Sequence, residues 1–225
     1  MNSGIAVQAG MTIMGANHDH GTFEGLSDDY KRRLWAVIAI NGIMFAVEMT
    51  AGQIAGSQAL KADALDFFAD AATYGLSLAV IGMSIKVRAG AALVKGFSLL
   101  AMGLWVAGST LWQLYFQGVP EAQVMGVVGA MALAANVASV LILMRYKDGD
   151  ANVRSVWLCS RNDAIGNLFV MAAALGVWGT ATGWPDLAVA GVMAGLFLSS
   201  ALQILRQSIG EWRHGGHDHA HHTHA

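Results

Sequence analysis

The stretch Ala59-Leu60-Lys61-Ala62-Asp63-Ala64-Leu65-Asp66-Phe67-Phe68-Ala69-Asp70-Ala71-Ala72 decides how this chain is read, and it runs on from Tyr74 to Ile85 without another charge. The run is long enough to form one bilayer-crossing helix. At about 100° per residue its three aspartates then fall on a single stripe. An ionised aspartate at the centre of such a helix costs about 2.5 to 3.5 kcal/mol on insertion scales, so this stripe demands a cation, protons or water.

The rest of the chain agrees with a membrane setting. Of its 225 residues 55% are hydrophobic and 12% charged, about half the charged share of a soluble domain. A net charge of −2 argues against a nucleic-acid binder, which would show a basic face. A single cysteine, Cys159, leaves no disulfide within the chain. Residues 1 to 16 lack a basic n-region and a continuous apolar core, so no cleavable signal peptide is expected.

Charges and turn residues divide the sequence into six apolar stretches, at 33–54, 59–85, 91–116, 122–145, 155–180 and 185–207. Each matches a hydrocarbon core of about 30 Å. The expected fold is therefore an all-α membrane protein with six transmembrane helices. Lys31, Arg32, Arg33, Lys86, Arg88, Lys95, Arg145, Lys147, Arg154, Arg206 and Arg213 all flank one side of these spans. The positive-inside rule makes that side, and both termini, cytoplasmic. Lys61 and Arg161 are the exceptions. The pairs Gly52 with Gly56 and Gly191 with Gly195 permit close helix approach, or simply reflect the glycine enrichment of membrane helices.

Asp66 and Asp70 are one helical turn apart, so both carboxylates can converge on one ion. Span five carries a second such pair, Cys159 and Asp163, in Ser155-Val156-Trp157-Leu158-Cys159-Ser160-Arg161-Asn162-Asp163. On facing helices the two pairs would make a four-ligand shell for a borderline divalent ion. A proton relay or a polar packing network is the competing account of the aspartates, with Asp63 as a secondary member. Cys159 equally suits a small hydrophobe, in which case Asn162 or Asn167 supplies the fourth ligand. Glu48 and Asn41 share a face of span one and either line a water-filled passage or form a structural pair. Arg161, beside Asp163, would compete with a bound dication unless it snorkels to the interface. For both pairs to meet at mid-membrane, span five must start deeper than residue 155.

At these residues the chain resembles the cation diffusion facilitator family of divalent metal/proton antiporters. The resemblance starts with Asn41, Glu48, Gly52, Gly56 and Ser57, and runs through Ala59-Leu60, Ala62-Asp63-Ala64-Leu65, Asp66 and Asp70. It continues with Asp163 and Pro185-Asp186, and covers about residues 30 to 212. It implies metal ligands at Asp66, Asp70 and Asp163, alternating access by rocking helices, and a homodimer. Two departures stand out. Cys159 occupies the place where the family usually has histidine, and the cytoplasmic metal-binding domain that usually follows span six is not expected here, as in shortened members.

All eight histidines lie outside the spans: His18 and His20 before the first, then His214, His217, His219, His221, His222 and His224. Imidazoles bind zinc, cobalt, nickel and copper, so these tails would collect metal on the cytoplasmic side or be plain polar tails. The organisation expected is a cytoplasmic tail at 1–30, a six-helix transport domain at 31–212 and a histidine-rich cytoplasmic tail at 213–225.

The expected function is export of a divalent metal in exchange for protons across a lipid bilayer, the bacterial inner membrane being the expected location. Zinc leads, followed by cadmium and cobalt; manganese and iron(II) rise if all ligands are oxygens. The metal is cargo, and no cofactor is expected. No span contains histidine and no His-Glu-x-x-His pattern occurs, which speaks against a hydrolase and any enzyme activity. The rival is a non-transporting membrane protein that senses metal or binds a partner.

Overall fold

A computed structural model describes residues 27–80, 83, 85–116, 118–148 and 151–214, with the side chains of 85, 86, 88, 151–155 and 210–214 outside that description. The described residues form six α-helices: α1 (Asp28–Ala55), α2 (Gln58–Ala79), α3 (Ile85–Tyr115), α4 (Ala122–Leu143), α5 (Ala151–Thr180) and α6 (Trp184–His214). A 3-10 turn, Met144–Tyr146, extends α4.

Local chemistry sets the first hairpin. Gly56 takes a left-handed conformation at φ 69° and returns its N–H to Gly52, a backbone state that costs glycine nothing. Ser57 then caps α2 by accepting from the Leu60 N–H at 3.1 Å. With only Gly56 and Ser57 between them, α1 and α2 fold back on each other. A Cβ on Gly52 would lie 2.9 Å from Lys61 Cγ and 3.1 Å from Lys61 N, so this glycine lets the two backbones close. Gly56 therefore serves as a cap rather than a packing surface. Nothing lies within 4 Å of a Cβ at Gly191 or Gly195, and their pairing brings no helices together within this chain. Gly96 and Gly103 do that work instead, against Leu205 and Leu198 of α6.

Several helix limits differ from those drawn from hydropathy: α1 opens at Asp28, α3 at Ile85, and α6 runs on to His214, and two further changes bear on the acidic residues. Span two stops at Ala79 rather than 85: Val80 closes on Leu76 and Met83 N–H bonds to Val80 O at 3.1 Å, forming a turn. Helix α5 starts at Ala151, four residues early. Polar residues such as Asn152 carry no apolar signal, yet their backbone continues the helix.

Contacts between the helix ends show that successive helices alternate in direction. At one end, Glu121 N–H bonds to Ala55 O at 3.0 Å, and Gln113 Nε2 donates to Gly56 O at 2.7 Å. At the other, Tyr146 donates to Asp29 at 2.6 Å, Arg33 Nε to Asp29 at 2.8 Å, and Arg33 reaches Ile142 O at 3.4 Å. Helix α2 touches α1, α3, α5 and α6, which puts the acid-bearing helix at the centre of the bundle.

The outer surface is apolar. Ile43, Phe97, Leu104, Trp112, Phe169, Leu175, Trp178, Val192 and Leu196 are all exposed, an arrangement that water penalises and lipid accepts. Five helices (α1, α3, α4, α5 and α6) are long and apolar enough to cross a membrane. Helix α2 has 22 residues, but Lys61, Asp63, Asp66 and Asp70 mask its apolar character. Its sheltered place among its neighbours is what makes those charges tolerable.

Candidate metal centre

Helices α2 and α5 run in opposite directions, so the depth of their polar pairs is a test of whether they meet. From the end of the bundle that carries the start of α1, Asp70 stands about 14 Å in and Asp66 about 20 Å, at 1.5 Å per residue back from Ala79. Counted from Ala151, Cys159 stands about 12 Å in and Asp163 about 18 Å. The early start of α5 supplies the extra depth, and the two pairs interleave.

All four side chains line one cavity of about 280 Å³, with Lys95 of α3 and Gln203 of α6 on its wall. The Asp163 carboxyl faces those of Asp66 and Asp70 closely enough to interact with both. The Tyr74 hydroxyl, one turn beyond Asp70, donates to Asp70 Oδ2 and also reaches Val156 O at 3.5 Å. Cys159, half-buried, borders the cavity and packs on the apolar cluster of Tyr30, Leu34, Tyr74, Leu143 and Val156.

The expected shell is thus gathered but not closed. Among the described residues no three His, Cys, Asp or Glu side chains are disposed to hold a metal ion. Asp70 is engaged by Tyr74, and Cys159 is partly committed to apolar packing.

A second pocket, too tight for a free water, lies against the first and is lined by Asn41, Asp63 and Asn136 together with Asp66, Asp70 and Asp163. Beyond it the fully buried Glu48 faces Asp63. Both oxygens of Glu48, both amide atoms of Asn41 and of Asn167, and one oxygen each of Asp63 and Asp163 have no hydrogen-bond partner. Such orphaned buried groups are rare in structural cores, where each costs about 1 to 3 kcal/mol.

Other candidates fall away. Asn162 is exposed and its Oδ1 accepts from Arg161 at 3.3 Å, so it is no fourth ligand; one residue before Asp163, it projects about 100° around the helix. Asn167 is buried but lines neither pocket. Arg161 also points outward, 5.5 Å above the Trp157 ring, which removes the competing guanidinium. His18, His20, His217, His219, His221, His222 and His224 lie outside the described residues, as does the side chain of His214.

Three residues on or beside these pockets, and a fourth at the start of α6, escape a reading by span alone. Lys95 looks like a flanking positive charge, yet it sits on the wall of the acidic cavity. Tyr74 is legible only as the residue four beyond Asp70, and Asn136 as a lone amide in an apolar helix. Asp186, fully buried at the start of α6, accepts from Ser57 Oγ at 2.5 Å and from the N–H groups of Gln58 and Ala59 at 2.8 and 3.0 Å. It caps α2 from across the bundle.

The family model for the cation efflux transmembrane domain matches residues 34–211, from the first turns of α1 nearly to the end of α6. This integral membrane protein, with its acid-bearing helix at the centre of an apolar bundle, belongs to the cation efflux, or cation diffusion facilitator, family of metal cation transporters.

Proposed function

We propose that the chain exports a divalent metal from the cytoplasm in exchange for protons, with Asp66, Asp70 and Asp163 as ligands and Cys159 as the fourth. The observation that carries this reading is the meeting of these four side chains, from two antiparallel helices and at overlapping depths, around a single cavity. All six helices span the bilayer in this scheme, with both termini in the cytoplasm and two copies forming a homodimer.

The chemistry follows from the ligands. A metal ion binds carboxylates and a thiolate, so its entry expels protons; reprotonation on the far side of the membrane then releases it. Tyr74 must give up Asp70 for that carboxylate to use both oxygens on a metal. Mixed oxygen and sulfur ligands suit zinc, cadmium and cobalt better than magnesium or calcium.

The test is flux in proteoliposomes under an imposed pH gradient, comparing zinc, cadmium, cobalt and manganese. Flux is expected to speed up when the side of release is more acidic, and to be lost in both Asp70→Ala and Asp163→Ala. Retained flux in both variants would remove the proposed site. The unclosed ligand shell favours one rival, a membrane metal sensor; metal binding without movement into sealed vesicles would decide for it.

A further inference from the structure

Lys95 stands about 15 Å along α3 from Ile85, close to the depth of Asp70. It is half-buried and is the one cationic side chain on the wall of the cavity among the described residues. The ionisable groups that share this cavity are Asp66 and Asp70 of α2 and Cys159 and Asp163 of α5; the wall from α6 is uncharged. Among the described residues no carboxylate lies within the 4.0 Å of Lys95 that would make an ion pair.

An ammonium at this depth needs water or a partner. Lys95 resolves this by bordering two spaces. One is the acidic cavity. The other is an apolar groove of about 240 Å³ between α2 and α3, walled by Phe68, Leu76, Val94, Leu99 and Met102. A four-carbon stem suits the groove, and its rotatable end can reach toward the carboxylates.

We propose that the Lys95 ammonium is a tethered stand-in for the transported cation, moving in among Asp66, Asp70 and Asp163 when metal leaves and swinging back toward the open side of the cavity, its stem along the α2–α3 groove, when metal enters. This rests on the transport site proposed above. Its consequences are specific. The lysine weakens metal binding by competing for the same carboxylates, and it speeds release by offering them a replacement charge. Lysine suits this exchange better than arginine, because a compact ammonium on a flexible stem is not locked to a carboxylate by a bidentate fork.

The experiment measures Zn²⁺ binding to the purified full chain by calorimetry and Zn²⁺ flux in proteoliposomes, with Cd²⁺ as a second probe. Lys95→Gln and Lys95→Met are compared with the parent and with Lys95→Arg. Both neutral variants are expected to bind Zn²⁺ about tenfold more tightly, with a lower KM and a kcat reduced about fivefold, since a positive charge beside a dication has been removed. Lys95→Arg, which keeps the charge, is expected to bind with an affinity near that of the parent.

Unchanged or weaker binding in both neutral variants, with parental flux intact, overturns the lysine's role and leaves the transport site standing. A parent that neither binds nor moves either metal overturns both. A misfolded variant would lose binding, the opposite of the gain expected, and using two neutral replacements guards against one that does not fold.

Discussion

Two buried acidic regions divide this molecule by how well their charges are satisfied. At the start of α6, Asp186 accepts three hydrogen bonds and completes the cap of α2. In the middle of the bundle Glu48, Asp63 and Asp163 hold oxygens without partners. Both regions lie among apolar helices, so burial alone does not distinguish them. Their donors do: Asp186 meets N–H groups that any helix start must satisfy, whereas the central carboxyls meet mostly one another. The first arrangement fastens helices together; the second leaves carboxyl oxygens free, as the proposed cation site requires.

Substitutions that spare one region and damage the other would break this contrast or sharpen it. The largest effect is expected from Asp70→Ala and Asp163→Ala. Metal flux should fall at least by the roughly 10- to 100-fold that loss of a partner behind the ligands costs a metal site, while elution on size exclusion stays that of the parent. Next comes Asp186→Ala, which strands the Ser57 hydroxyl and two backbone N–H groups. It should destabilise the protein by about 2 to 4 kcal/mol, read by thermal unfolding in detergent. A fall in flux without a fall in stability would reverse the roles assigned to the two regions.

Glu48→Gln probes the same contrast from the other side. Replacing an acid that faces Asp63 with an amide of the same shape removes one titratable proton from the pair and little packing, so the unfolding temperature should hold while metal flux falls several-fold. A smaller change is expected for Cys159→Ser. Losing the thiol should lower cadmium flux relative to zinc by about tenfold or less, measured as a ratio of kcat/KM values, because softer ions lose more from the exchange of sulfur for oxygen. The smallest is Arg161→Ala, for which flux within about twofold of the parent is expected, since the guanidinium rests on Trp157 away from the cavity. A marked gain in metal affinity for this variant would put Arg161 back in the site.

Much of the fold was legible because a bilayer imposes simple rules. Apolar length marked the helices and the position of basic residues marked their alternation. The limits that moved did so where hydropathy has nothing to say: polar residues open α5, and an apolar sequence turns after Ala79. The acidic stripe was legible too, because spacing of three and four residues maps directly onto one helix face. Partners across helices were not. Asn162 and Asp163 are neighbours in sequence but point to different surroundings, and Arg161 and Lys95 exchange the roles their positions suggest.

From its sequence by itself this protein is a bundle of membrane helices with carboxylates on the second and fifth, since hydrophobic length and helical period are properties of a chain read locally. Only the tertiary structure decided that α5 begins early enough to bring Asp163 to the level of Asp66, that Tyr74 engages Asp70, and that the cation beside the cavity is Lys95. Those outcomes depend on how far each helix slides and turns against its neighbours, and packing between distant segments sets both.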